Sequence, residues 1–143
     1  MRLNGAGMTV KAVLDRLPRH FRNIELDAFI VMPNHVHGII VIKDREINQD
    51  IGRVPARGAP SNSSLPHGTQ PGSLGAIVQN FKSVSTRRVN RLMRNAGTIW
   101  QRDYYEEIVR DEGAYYNIRR YIMENPLRWE EDEENPINHK NCR

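Results

Sequence analysis

The chain has 143 residues and a single cysteine, Cys142, beside the C-terminus. That excludes an internal disulfide framework and fits a reducing compartment. No apolar run approaches the ~20 residues that a membrane-crossing helix needs. The N-terminal Met1-Arg2-Leu3-Asn4-Gly5-Ala6-Gly7 lacks the apolar core of a signal peptide. The expectation is a cytoplasmic protein with no membrane partner. A length of 143 residues suits one compact domain and is too short for two of ordinary size; aromatic residues make up only 7%, and the hydrophobic fraction, 38%, is on the low side for a globular domain. Acid is missing from the whole stretch between Leu74 and Arg94, and over the chain 21 Lys and Arg outnumber 17 Asp and Glu, for a formal charge of +4. That balance favours an anionic partner. Nucleic acid is the usual one, although an excess of this size also occurs on unrelated soluble proteins.

The residues that are present fall into recognisable segments. Val10, Val13, Leu14 and Leu17 recur at helical spacing and predict a helix from Thr9 to Phe21, with Thr9 as N-cap and Pro18 ending or re-aiming it. Ile24 to Met32 is rich in β-branched and aromatic residues. Pro33-Asn34 follows, then His35 to Lys43, a strand–turn–strand pattern. The second strand sets His35, His37, Ile39 and Val41 on one face and Val36, Gly38, Ile40 and Ile42 on the other. Gly38 leaves room for something to approach the backbone.

The stretch 44–72 is dominated by proline, glycine and serine. It reads as a flexible insertion within one domain spanning 1–129, with a polar tail over 130–143. Ser73 predicts the cap of a long amphipathic helix to about Asn95, with Leu74, Ile77, Val78, Phe81, Val89 and Leu92 as its apolar stripe. Its other side carries Lys82, Arg87, Arg88, Arg91 and Arg94. A solvated face is the common meaning of such charge; its single sign points instead to phosphate binding. Ile99 to Arg110 reads as a strand with Trp100, Tyr104 and Tyr105. A last helix runs from Glu112 to Trp129 behind an Asp111 cap, and Glu130 to Glu134 reads as a solvated tail.

The chemistry centres on His35 and His37. A bare His-x-His is weak, since two such residues can be ordinary cross-strand neighbours. Imidazoles two apart on a strand nevertheless point the same way and can share a metal ion. Asn117, Tyr121 and Asn125, four apart, form one stripe on the last helix beside the apolar Ile118 and Ile122. Tyr121 would then stand at the edge of the core with its hydroxyl free, or simply anchor the helix.

Three runs, in order along the chain, carry a resemblance: Val31-Met-Pro-Asn-His-Val-His-Gly-Ile-Ile40, Trp100-Gln-Arg-Asp-Tyr-Tyr-Glu106 with Ile108 to Glu112 beyond it, and Tyr121-Ile-Met-Glu-Asn-Pro126. Together they resemble the single-tyrosine HUH transposases, in particular their REP-associated branch, over most of Met1 to Trp129. The resemblance implies an α+β sandwich of ferredoxin-like or RRM-like form, an antiparallel sheet with helices on one face. Relatives carry an additional strand ahead of the region matched by Met1, so the first strand is expected to be absent and sheet edges exposed.

The resemblance also implies roles. His35 and His37 match the histidines that bind a divalent metal, Mg2+ or Mn2+, and Asn125 matches the polar third ligand, often glutamine in relatives. Tyr121 matches the nucleophile, which would attack single-stranded DNA bearing small hairpins and leave a 5′-phosphotyrosine. Lys82, Arg87, Arg88 and Arg91 would hold phosphates, and Tyr104 or Tyr105 could stack on bases. The family often acts as a dimer. The alternative is a truncated, non-catalytic remnant that binds nucleic acid through its basic helix. A metal protein of another kind, recruiting His67, His139 or Cys142, fits less well, because the spacing matches no zinc signature.

Overall fold

A computed structural model describes residues 2–43, 71–131, 135 and 138. The expected insertion falls outside them except for Pro71 and Gly72; His67, His139 and Cys142 also fall outside. The elements run α1 (Gly5–Leu14), α2 (Leu17–His20), β1 (Ile24–Val31), β2 (Val36–Ile42), α3 (Leu74–Met93) and α4 (Glu112–Glu124), then two 3-10 turns, Asn125–Leu127 and Trp129–Glu131.

The predicted first helix is in fact two. Asn4, not Thr9, caps α1, its side chain accepting from Gly7 N–H at 2.9 Å. Thr9 lies inside the helix and turns its hydroxyl back to Gly5 O. Pro18 sits in the first turn of α2, where its missing N–H has no consequence, and so re-aims the chain.

β1 and β2 pair antiparallel, with Ile24 opposite Ile42 and Val31 opposite Val36. The register slips between Leu26 and Phe29. There Asp27 and Ala28 face a single partner residue, a bulge. The consequence is directional. Ala28 packs with Ile39 and Ile122 of α4, and Asp27 bonds to Tyr115 of α4, so two successive side chains serve one face. Gly38 is opposite Phe29, and a Cβ there would lie 3.1 Å from Phe29 Cβ. What approaches its backbone is the neighbouring strand rather than a ligand.

The molecule is α+β, as expected, but its helices divide between the two faces of the hairpin. One face meets α1, α2 and α3 through Val10, Val13, Leu14, Leu17, Ile77, Phe81 and Val89, packed on Ile24 and Val31. The other meets α4 through Ile122, with Ile118 and Tyr115 partly buried beside it. Because β-strand side chains alternate, His37 and Ile39 share the α4 face.

α3 is capped by Ser73 as expected, its Oγ accepting from Ala76 N–H at 3.3 Å. The helix ends at Met93, ahead of Gly97, with Arg94 in the left-handed region at φ 51°. Leu92, assigned to the apolar stripe, is exposed, whereas Ser85 is fully buried. Ser85 donates to Phe81 O at 2.6 Å and accepts the Trp100 indole N–H at 2.8 Å.

The strand expected over Ile99 to Arg110 does not form: among the described residues the sheet holds β1 and β2 alone. Trp100 is tied to α3 by its indole, and its ring centroid lies 5.1 Å from that of Phe81, which holds the start of the segment against the helix. α4 ends at Glu124 rather than Trp129, since Pro126 cannot extend the helical ladder. The tail also departs from expectation. Glu130 and Glu131 belong to a 3-10 turn, and Asn135 is buried, donating to Trp129 O at 2.9 Å.

Candidate functional site

The turn Pro33-Asn34 delivers His35 to the mouth of the hairpin, with Met32 N–H bonded to His35 O at 2.8 Å. His35 stands just ahead of β2 and His37 within it. Their rings lie edge to face, centroids 4.6 Å apart. Across the sheet face, α4 brings the Tyr121 ring to 5.6 Å from His37, again edge to face. The Trp129 ring lies 6.1 Å from His35. Two remote parts of the chain therefore converge on the histidine pair, and both contacts come from one stripe of α4 and its continuation.

Asn125 lies on that stripe between Tyr121 and Trp129. It is 4% exposed, and among the described residues its Nδ2 has no hydrogen-bond partner. A buried amide atom left unpaired costs about 1–3 kcal/mol. The amide is nearly symmetric, and a half-turn of it would set the carbonyl oxygen in the same place.

The spacing of His35 and His37 is compatible with a shared divalent ion. Two imidazoles sharing an octahedral ion at metal–nitrogen distances of ~2.1 Å have ring centroids about 4.5 Å apart, close to the separation of His35 and His37. Asn125, four residues beyond Tyr121, carries a buried amide whose nitrogen is unpaired among the described residues. Among the described residues no three of His, Cys, Asp or Glu stand together as a metal cluster. The neighbouring Glu124 is otherwise engaged, by Arg120 at 2.8 Å and Arg128 at 3.4 Å. The Arg120 hydrogen bond holds its carboxyl below the usual carboxylate range.

Tyr121 is 56% exposed. Among the residues expected to hold nucleic acid, Arg87 and Arg91 are exposed and Arg88 half-buried on α3. Lys82 has a different task. Its ammonium donates to the carbonyls of Gln101, Arg102 and Asp103 at 2.8, 3.1 and 3.2 Å and lies 5.4 Å from the Tyr104 ring centroid. It binds the 101–104 segment rather than presenting a free charge. Beyond this tether Tyr105 is 89% exposed.

Sequence reasoning missed three contributors. Asn34 was read only as a turn residue, yet its Oδ1 lies 2.7 Å from His35 Nδ1. Trp129 would have emerged by carrying the four-residue stripe one step past Asn125. Asp27 left no signal, because a bulge is not visible in alternation.

The fold and site define an α+β protein in which a hairpin carrying His-x-His faces a tyrosine-bearing helix. No protein-family model matches the chain, and no solved structure matches it. An uncharacterized protein of Haemophilus influenzae is 38% identical over 133 residues, covering 93% of this chain and 71% of that protein. The chain belongs to that protein's family. Among the described residues no helix is long and apolar enough to cross a membrane.

Proposed function

We propose that the protein is a metal-assisted tyrosine strand transferase acting on single-stranded DNA, a transposase of the single-tyrosine HUH kind. The observation that carries this reading is the approach of Tyr121 to His37 at 5.6 Å. An exposed phenol beside a histidine pair that could hold a metal ion is one arrangement in which a tyrosine can act as nucleophile on a phosphodiester.

The Tyr121 oxygen attacks phosphorus in line. The bond from phosphorus to the 3′ oxygen breaks, a tyrosine–phosphate bond to the 5′ side forms, the phenol proton leaves to solvent, and the departing 3′ oxygen takes up a proton. A second 3′-hydroxyl then attacks the phosphotyrosine, which restores a phosphodiester and frees Tyr121 without ATP. Mg2+ or Mn2+ held by His35, His37 and Asn125 would offset charge on the phosphate oxygens. Arg87, Arg88 and Arg91 hold the strand by its phosphates, and Tyr105 offers a face on which a base stacks.

The test is incubation with a labelled, hairpin-bearing single strand and Mn2+. A covalent protein–DNA adduct is expected from the wild type and none from Tyr121→Phe. An adduct that persists in Tyr121→Phe would sink the assignment.

A second reading is a non-catalytic nucleic-acid-binding protein. It is favoured by the basic face of α3, where among the described residues no carboxylate pairs with Arg87, Arg91 or Arg94. It predicts salt-sensitive DNA binding that survives both His35→Ala and Tyr121→Phe, with no adduct from any variant.

A further inference from the structure

Asn34 and His35 are adjacent, and their side chains are hydrogen-bonded at 2.7 Å, Asn34 Oδ1 to His35 Nδ1. With the Asn34 amide oriented oxygen-first, that oxygen can only accept, and in this orientation the imidazole nitrogen it meets carries the proton. The ring has one other nitrogen, Nε2, which in the neutral form then holds the free lone pair. A free imidazole prefers the opposite arrangement, with the proton on Nε2, so the bond reverses the intrinsic tautomer preference.

The turn itself does not call for asparagine here. Among the described non-glycine residues only Arg94 has positive φ, so Asn34 is not placed to satisfy a left-handed backbone. The turn is closed by Met32 N–H to His35 O, a bond between backbone groups alone. The Asn34 side chain meets His35.

We infer that Asn34 is a positioning residue: its amide oxygen fixes the tautomer and ring angle of His35 so that Nε2 is the nitrogen offered to a divalent cation shared with His37. Histidines that bind metals are commonly held this way by a carbonyl or carboxylate on the far nitrogen, and losing that partner typically weakens metal affinity about 10–100-fold. The cation part rests on the proposed metal site. The tautomer part stands on the hydrogen bond alone, which keeps the two separable.

The experiment uses the full chain, 15N-labelled on histidine and free of metal, at about pH 8.5. Long-range 1H–15N correlation reads the tautomer directly. His35 is expected as the Nδ1–H form in the wild type, shifting towards Nε2–H in Asn34→Ala and reverting in Asn34→Asp, whose carboxylate also accepts. Mn2+ titration followed by electron paramagnetic resonance should then show about 10–100-fold weaker binding by Asn34→Ala, with Asn34→Asp restoring it. An unchanged tautomer in Asn34→Ala overturns the inference, and so does a shifted tautomer with unaltered Mn2+ affinity. If the wild type binds no Mn2+, the cation role of Asn34 falls together with the proposed metal site, while the tautomer measurement still decides whether Asn34 sets the ring.

Discussion

Tyr115 donates its hydroxyl to the Asp27 carboxylate at 2.7 Å, joining α4 to the bulge in β1 across 88 positions of the chain. Arg119, one turn further along α4, reaches the same carboxylate at 3.3 Å. The bulge is what turns Asp27 towards α4. With that side of the helix held, the next turn carries Tyr121 to His37. The geometry of the candidate site thus depends on a backbone irregularity in the opposite strand.

A pH dependence follows from this bond. Hydrogen bonding to the Asp27 carboxylate raises the Tyr115 hydroxyl above its ordinary value of about 10. A raised acid favours the folded state while it is protonated in both states. The contribution is therefore complete below about pH 10 and is lost as pH climbs through the raised folded value. Tyr115→Phe should lower the melting temperature at pH 8 and flatten its decline between pH 9 and 11. An identical alkaline decline in both proteins would show that this hydroxyl does not contribute.

Lys82 and the arginines of α3 should separate in a salt titration. Each phosphate contact on single-stranded DNA contributes about 0.7 to the slope of log affinity against log salt. Arg87→Ala with Arg91→Ala should weaken binding and reduce that slope by roughly 1.4 if both meet phosphates. Lys82→Met should instead loosen the 101–104 segment, seen as faster amide exchange at Tyr104 and Tyr105, with a smaller change in slope. A slope change for Lys82→Met as large as that for one arginine would return it to the phosphate-binding set.

Much of the architecture was legible in the sequence, and the failures have physical causes. The β1–β2 hairpin and α3 announce themselves because period and caps agree: Ser73 and Asp111 were read correctly as N-caps. Thr9 misled because a threonine within a helix can bond backwards to the preceding turn, as it does to Gly5 O. The 99–110 run has the β-branched and aromatic character of a strand, but strand character is a preference for a pleated, half-buried surface. Trp100 and Lys82 commit its start to α3 instead. The histidine pair and Tyr121 were legible through spacing and motif. Asn34 and Asp27 were not, because their partners are chosen by side-chain direction, which no one-dimensional pattern carries.

Asn125 yields a test through metal addition. Asn125→Asp places a carboxylate where a buried amide nitrogen now lacks a partner. An unpaired buried charge costs several kcal/mol, so the variant should melt well below the wild type in chelator. If the position faces a cation, Mn2+ should recover much of the loss, since ligand binding adds about 2.7 kcal/mol at a hundredfold excess over Kd. A Mn2+-induced shift no larger than that of the wild type would remove Asn125 from the ligand set.

Ile122 tests whether the tyrosine's position can be uncoupled from the remainder of the fold. It is 3% exposed and, with Ala28 and Ile39, forms the small core beneath α4, separate from the larger core that holds α1 and α3. Ile122→Val should cost about 0.5–1.5 kcal/mol and Ile122→Ala about 2–5 kcal/mol. Because the two cores lie on opposite faces of the hairpin, the alanine variant should release α4 while the α1–α3 side persists. Amide exchange should then accelerate along Glu112–Glu124 and remain slow at Ile77 and Phe81, and DNA adduct formation through Tyr121 should fall more steeply than DNA binding through α3. Uniform acceleration at both sets of amides would mean instead that the two cores unfold as one unit.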